Sequence, residues 1–417
     1  MSKKTKKNVN NKGLRIQLKQ RQIKIENELF NTIVRFTKAC NAYDLFNQLS
    51  PEEHWFLKKI QYRTVLIKAE KNSGISDSII RAVKKDLMNY LQSEKIVIEG
   101  SNEIFTLLDL CTAGVSLWQW AWYNSKDNAL WMAVYEKITS LSYYFENDEN
   151  AHYINKIFYF LQRLADRYTS VTRYFLWFTS KLDYVDHRCT LVYTMHREPS
   201  VRKHVTIDNI LRPVYRVGYA VQIDGLRWAK VKGEQLFPFR NEADVAVDYP
   251  VFVQSHALER IKERLFPIPF YEDLLAFAFE KGEISLGPGG KLFFSVMHAD
   301  CKLGYLVTSF TGREIIVQSF LFITHTGTSE GDSLNERLRV KTYSKKYFGL
   351  DSLCNYITTD ICVDPFFRSV LIECGCSDLI KYKGNFSEKC MDDRNFSENL
   401  RRELALEDEI YEQAEMV

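Results

Sequence analysis

The chain has 417 residues, 46% hydrophobic and 26% charged, with a formal net charge of +3 at pH 7. These are the values of an ordinary soluble globular protein, long enough for two or three domains. The longest uncharged apolar stretch, Leu110 to Ser125, is shorter than the roughly 18–20 residues of a spanning helix and is rich in Trp and polar residues, so a buried or interfacial helix and no membrane partner are expected.

Charge is unevenly placed. Residues 1–25 hold nine Lys/Arg and no acid, whereas residues 384–417 hold ten Asp/Glu against four Lys/Arg. Both ends read as weakly structured: 1–12 as a disordered basic tail and 384–417 as a flexible acidic tail. A Lys-rich N-terminus adds salt-sensitive affinity for polyanions, or serves only solubility. No apolar run follows it, so no secretory signal is expected. With nine cysteines, an odd number, this points to a reducing, cytoplasmic setting and mostly buried thiols.

From Leu14 to Leu182 the pattern predicts helices almost throughout, a helical domain over 13–185. Ser50-Pro51-Glu52-Glu53 is a capping box with Pro at the first helical position, opening a helix through about Lys68. Ser76 or Asp77 caps the next helix, SIIRAVKKDLMNYLQSEK. The aromatic runs WQWAWY (118–123) and YFLWF (174–178) read as helical core, with a partner groove as the alternative. A long helix is expected from Ala151 to Lys181, with Ile154, Ile157, Phe158, Leu161, Leu164 and Tyr168 as its apolar face.

The character changes near Asp186, and an α+β domain is expected over 186–383. TLVYT, PVYRVGYAVQI and LRWAKV alternate as strands do, with Asp224-Gly225 as a hairpin turn. VFVQ then reads as a strand, and SHALERIKERL and PFYEDLLAFAFEKG as helices. Ile284–Leu286, KLFFSVMHA, KLGYLVTSF and EIIVQSFLFIT read as four strands, with helices returning after Gly331. This order argues for a mainly antiparallel sheet.

Several site types find no support in the spacing. Gly287-Pro288-Gly289-Gly290 lacks the Lys-Ser/Thr of a phosphate loop, so no cofactor is expected. Cys374 and Cys376 form C-x-C without a second ligand pair, and structural zinc is not expected. Asp392/Asp393 and Glu407/Asp408/Glu409 lie in the acidic tail, where no ordered metal site is expected.

The stretch 251–334 carries the most chemistry. His256, Arg260 and Arg264 fall at i, i+4 and i+8 on one helix, and Leu258, Ile261 and Leu265 form a separate apolar stripe. Two guanidiniums stabilise charge on a transferring phosphoryl group while an imidazole acts as acid or base. The plain alternative is a solvated helix face, with Ser255 as N-cap and Glu259, Lys262 and Glu263 in exposed pairs. A second basic segment, 187–232, holds nine Lys/Arg against three acids. Its nucleic-acid candidates are Arg202, Lys203, Arg212, Arg216, Arg227 and Trp228, since bases stack on aromatic faces while cations follow phosphates. A hairpin pair with one buried aromatic face and one solvated face produces the same pattern.

The form H-A-x-x-R-x-x-x-R at His256, Ala257, Arg260 and Arg264, and the ending Thr324 to Leu334, resemble a domain group related to the RelE and BrnT ribonuclease toxins. The resemblance covers about 80 residues. It implies metal-independent RNA cleavage, in which the ribose 2′-hydroxyl attacks the adjacent phosphate. It further implies His256 as acid/base, Arg260 and Arg264 as phosphate stabilisers, and Arg313 as an addition. His298 and His325, at strand ends, are secondary candidates. The expectation is therefore an α+β protein acting on RNA as an endoribonuclease. The alternative is a non-catalytic scaffold whose helical domain binds a protein partner.

Overall fold

The computed structural model describes residues 3–59, 65–98, 100–144, 152–185, 188–207, 209–221, 225–268, 271–339, 347–385 and 395–404. His187, Asp224, Asp392, Asp393 and Glu407 to Glu409 lie outside them. The chain divides into two compact units that share it unevenly. Residues 1–164 and 178–197 form the first; 165–177 and 198–417 form the second.

The first unit is mainly helical. It contains α1 (Lys3–Ala39), α2 (Tyr43–Phe46), α3 (Pro51–Lys59), β1 (Leu66–Ala69), α4 (Asp77–Ser93), β2 (Lys95–Val97) and β3 (Ile104–Thr106). These are followed by α5 (Leu107–Asp109), a π turn at Leu110–Gly114, α6 (Val115–Asn124) and α7 (Ala129–Lys137). Residues 3–12, expected as a tail, are the first turns of α1; the segment holds no Pro or Gly, and Lys is a good helix former. Ser50 and Glu53 form the capping box: the Glu53 amide donates to Ser50 Oγ at 3.2 Å, and the Ser50 amide to Glu53 Oε2 at 2.8 Å. Its helix ends at Lys59, short of the expected Lys68, because Leu66–Ala69 pairs in parallel with a later strand. Ser76 caps α4 by accepting from the Ile79 amide. Trp122 and Tyr123 of the aromatic run on α6 are exposed, at 45% and 66%, so only part of that run is core.

The expected long helix 151–181 is instead α8 (His152–Tyr168) followed by β4 (Tyr174–Val185), which pairs with β5 (Arg188–Pro199). Thr169 and Ser170 break the helix, and the β-forming run Tyr174–Thr179 follows. The YFLWF residues Phe175, Leu176 and Phe178 are core, but from a strand.

The second unit is α+β. Its strands are β6 (Arg202–Ile207), β7 (Ile210–Arg216), β8 (Gly218–Val221), β9 (Gly225–Trp228), β10 (Lys230–Lys232), β11 (Asp248–Gln254), β12 (Ile284–Leu286), β13 (Leu292–His298), β14 (Cys301–Phe310) and β15 (Ile315–Phe322). Its helices are α9 (Gly233–Leu236), α10 (Ser255–Arg264), α11 (Tyr271–Lys281), α12 (Ser329–Leu338), α13 (Leu353–Thr358), α14 (Pro365–Glu373), α15 (Ser377–Gly384) and a last one over 396–404.

The main sheet has the order β12-β13-β14-β15-β11-β7-β6, with β10 also paired to β11. Neighbours run antiparallel except β11 and β15, which the intervening α10, α11 and β12–β14 bring together in parallel. Phe294, Leu306 and Phe320 are neighbours in register across β13, β14 and β15 and are almost wholly buried. They belong to a core that also takes Ala257, Leu258 and Ile261 of α10, Leu265 at its C-cap, and Leu275 and Phe279 of α11.

Among the described residues no helix is long and apolar enough to cross a membrane. Seven free cysteines are described and six of them are buried.

Candidate functional site

β11 stays paired through Gln254, which stands opposite Val214, and the chain turns into α10 at that point. Gln254 is therefore the N-cap and Ser255 the first helical residue, one position earlier than the sequence suggests. The apolar stripe faces the core as expected, leaving Arg260 and Arg264 half-buried and His256 exposed on the outward side.

Arg260 and Arg264 line an open cleft of about 280 Å³ together with Glu263, His325, Gly349, Asp351 and Ser352. Arg264 Nη1 donates to the Phe320 carbonyl of β15 at 2.7 Å, which anchors the last turn of α10 to the sheet. Burial pushes the Arg264 guanidinium below its ordinary pKa; Asp351 opposes this, Arg260 adds to it and Glu263 opposes it. Arg260 Nη1 donates to Glu263 Oε2 at 2.8 Å, a surface pair of small energetic value.

The turn after β15 supplies the imidazole. His325 Nδ1 meets the Thr326 carbonyl, which only accepts, so Nδ1 carries a proton and Nε2 is the acceptor in the neutral ring. Nε2 lies 3.9 Å from Asp351 Oδ2. Thr324 Oγ1 donates to the Leu350 carbonyl at 2.6 Å, and the Tyr356 hydroxyl donates to the same carbonyl at 3.0 Å. The first bond fastens the Asp351 loop to the His325 turn, and the second ties the same loop to α13. Thr328 caps α12, accepting from the Gly331 amide at 2.9 Å. Gly331 is required there, because a Cβ would come 2.0 Å from the His325 carbonyl oxygen. Asp351 Oδ1 is buried with no hydrogen-bond partner among the described residues.

The cleft thus joins Arg260 and Arg264 but not the other two residues of the proposed set. His256 is one turn earlier on α10 and outside the lining. Arg313 sits on the exposed turn before β15, seven residues ahead of Phe320, and at about 3.3 Å per residue the chain between them spans roughly 23 Å. His298 lines a separate cavity, accepts or donates at Nδ1 with the Tyr382 hydroxyl at 2.8 Å, and has its pKa lowered by burial.

The second basic set is divided between faces by strand register. Lys203 stands opposite Val214 and is flanked diagonally by Arg212 and Arg216, all on one face of β6–β7; Arg202 pairs with Tyr215 on the other. Lys203 is held by Glu314, and its ammonium lies 3.7 Å from the Phe252 ring centroid. Burial, then Arg216, lowers the Lys203 pKa. The Arg216 guanidinium lies 5.0 Å from the Trp228 ring centroid, and Arg227 is exposed on β9.

Asp351, Gly349 and Ser352 were not signalled by the sequence, since a loop acid has no period to mark it. Compared with protein-family models, curated proteins and solved structures, the chain has no match, so fold and cleft stand on their own geometry.

Proposed function

We propose that the second unit acts on RNA in the cytoplasm as a metal-independent endoribonuclease, with the cleft of Arg260, Arg264, His325 and Asp351 as its reaction site. The observation that supports this reading is the meeting of two guanidiniums with an imidazole whose Nε2 faces a carboxylate. In this reading His325 takes the role that the resemblance gives to His256. Its Nε2 accepts the ribose 2′-hydroxyl proton, while Asp351 steadies the resulting imidazolium. The 2′-oxygen attacks phosphorus, the bond to the 5′-oxygen breaks, and that oxygen leaves with a proton taken from water in the open cleft, while the imidazolium returns its proton to water. Arg260 and Arg264 offset the charge on the pentacoordinate phosphorus. The products are a 2′,3′-cyclic phosphate and a 5′-hydroxyl end. His256, on the outward face of α10 and outside the cleft, takes no part in the reaction in this reading.

A second reading, a non-catalytic scaffold whose helical unit binds a protein partner, is favoured by one observation. Arg264 is already engaged with the Phe320 carbonyl, as a purely structural arginine would be. RNA cleavage in EDTA by the full chain, beside His325→Ala, separates the two. The enzyme reading expects activity that the substitution removes, and the scaffold reading expects none in either protein.

A further inference from the structure

A second cavity, of about 380 Å³, lies between α11 and the end of β13. Leu274, Phe277, Ala278 and Met297 give it apolar walls, and Phe277 and Met297 are 43% and 41% exposed. Asp273, Lys281, His298 and Asp300 supply its charged and polar groups. A space of this size and make-up suits a small organic ligand.

The polar groups narrow the ligand's charge. Asp273 Oδ1 is buried and has no hydrogen-bond partner among the described residues. Next to Asp273, Glu272 Oε2 and Asp166 Oδ2 share that condition, in side chains only 3% and 5% exposed. Asp166 belongs to the C-terminal turn of α8, which is part of the second unit. Buried polar atoms without partners are rare and call for a counter-group. Lys262 acts on Glu272, and Lys281, two turns along α11 from Asp273, has its ammonium 5.8 Å from the Phe277 ring centroid. That ring face already takes a cation. His298, with its pKa lowered by burial, offers no charge to an anion. Among the described residues no cluster of His, Cys, Asp or Glu is arranged to hold a metal ion. A single ammonium bonding one carboxylate needs no such cage.

We propose that this cavity binds a small organic cation, a protonated amine whose nitrogen bonds the Asp273 carboxylate and whose apolar body rests on Phe277 and Met297. The site is separate from the arginine cleft and does not depend on any activity there.

The test is calorimetric titration of the full chain at pH 7.5 with phenethylamine and with its uncharged counterpart 2-phenylethanol. Saturable binding of the amine, at least about tenfold tighter than the alcohol, is expected, because a charge-assisted bond is lost in the alcohol. Asp273→Asn should weaken the amine at least about tenfold and leave the alcohol unchanged, and Arg260→Ala should change neither. If Asp273→Asn fails to fold, Phe277→Ala, at an exposed side chain, should weaken both ligands. No saturable amine binding, equal binding of amine and alcohol, or an amine affinity indifferent to both cavity substitutions would overturn the proposal.

Discussion

Single residues divide by whether a periodic element carries them. Arg260 and Arg264 were legible because helical spacing alone puts them on the face opposite Leu258, Ile261 and Leu265. His325 was visible only as a histidine near a strand end. Asp351 was not visible, because it reaches the site through the Thr324–Leu350 hydrogen bond, a contact across 26 residues of chain. Arg264 has a structural duty as well as a candidate chemical one. Arg264→Ala removes a charged donor from the Phe320 carbonyl and should cost about 1.5–3 kcal/mol in a urea titration. Arg264→Lys, lacking the planar fork, should recover only part of that loss. An Arg264→Ala protein as stable as wild type would show that the bond holds nothing.

Among elements, the sequence located α10, α11 and the four strands from Ile284 to Phe322, because each has a clear period bounded by turn residues. It misjudged the end of α8. Leu161, Leu164 and Tyr168 continue at helical spacing into aromatic residues that suit a helix or a strand, and strand pairing decides between them. Pairing with β5 is a long-range contact that local pattern does not carry. The first turn of α11 holds a pH response. Burial raises Glu272 to about 8 and Asp273 to about 6, and burial followed by Asp273 and Glu272 raises Asp166. As pH rises, the unfolded chain releases these protons near the ordinary carboxyl values while the folded chain retains them. The folded state then binds more protons, so stability falls from about pH 4 to about pH 8. The fall should be on the order of a few kcal/mol, and Glu272→Gln should flatten its upper half. Urea midpoints at pH 5, 6.5 and 8 measure it; an unchanged slope in the variant would refute the assignment to Glu272.

At the scale of the whole molecule, the expected halves exist, a helical one and an α+β one with a mainly antiparallel sheet. Their boundary is not a single point near 185. Residues 165–177 belong with the second unit, and 178–197 belong with the first. Composition changes only once along the chain, so it cannot reveal a segment that is exchanged between units. Phe175, 2% exposed, packs in the second unit's core with Val171 and against Trp228, its ring centroid 5.5 Å away. Phe175→Ala should therefore destabilise that unit by about 3–5 kcal/mol, the usual cost of deleting a buried aromatic side chain. A loss below about 1 kcal/mol would place Phe175 outside that core.

The most direct measurement is the rate at which the purified 417-residue chain cleaves a single-stranded RNA in EDTA, with the ends of the products identified. A reaction in the His325 cleft should leave 2′,3′-cyclic phosphate ends, and its rate should fall about 10²-fold or more in a folded His325→Ala variant, as loss of an acid–base group requires. His256→Ala should retain most of the rate. Absence of cleavage by the wild-type chain, or cleavage that His325→Ala leaves intact, would contradict the proposed reaction.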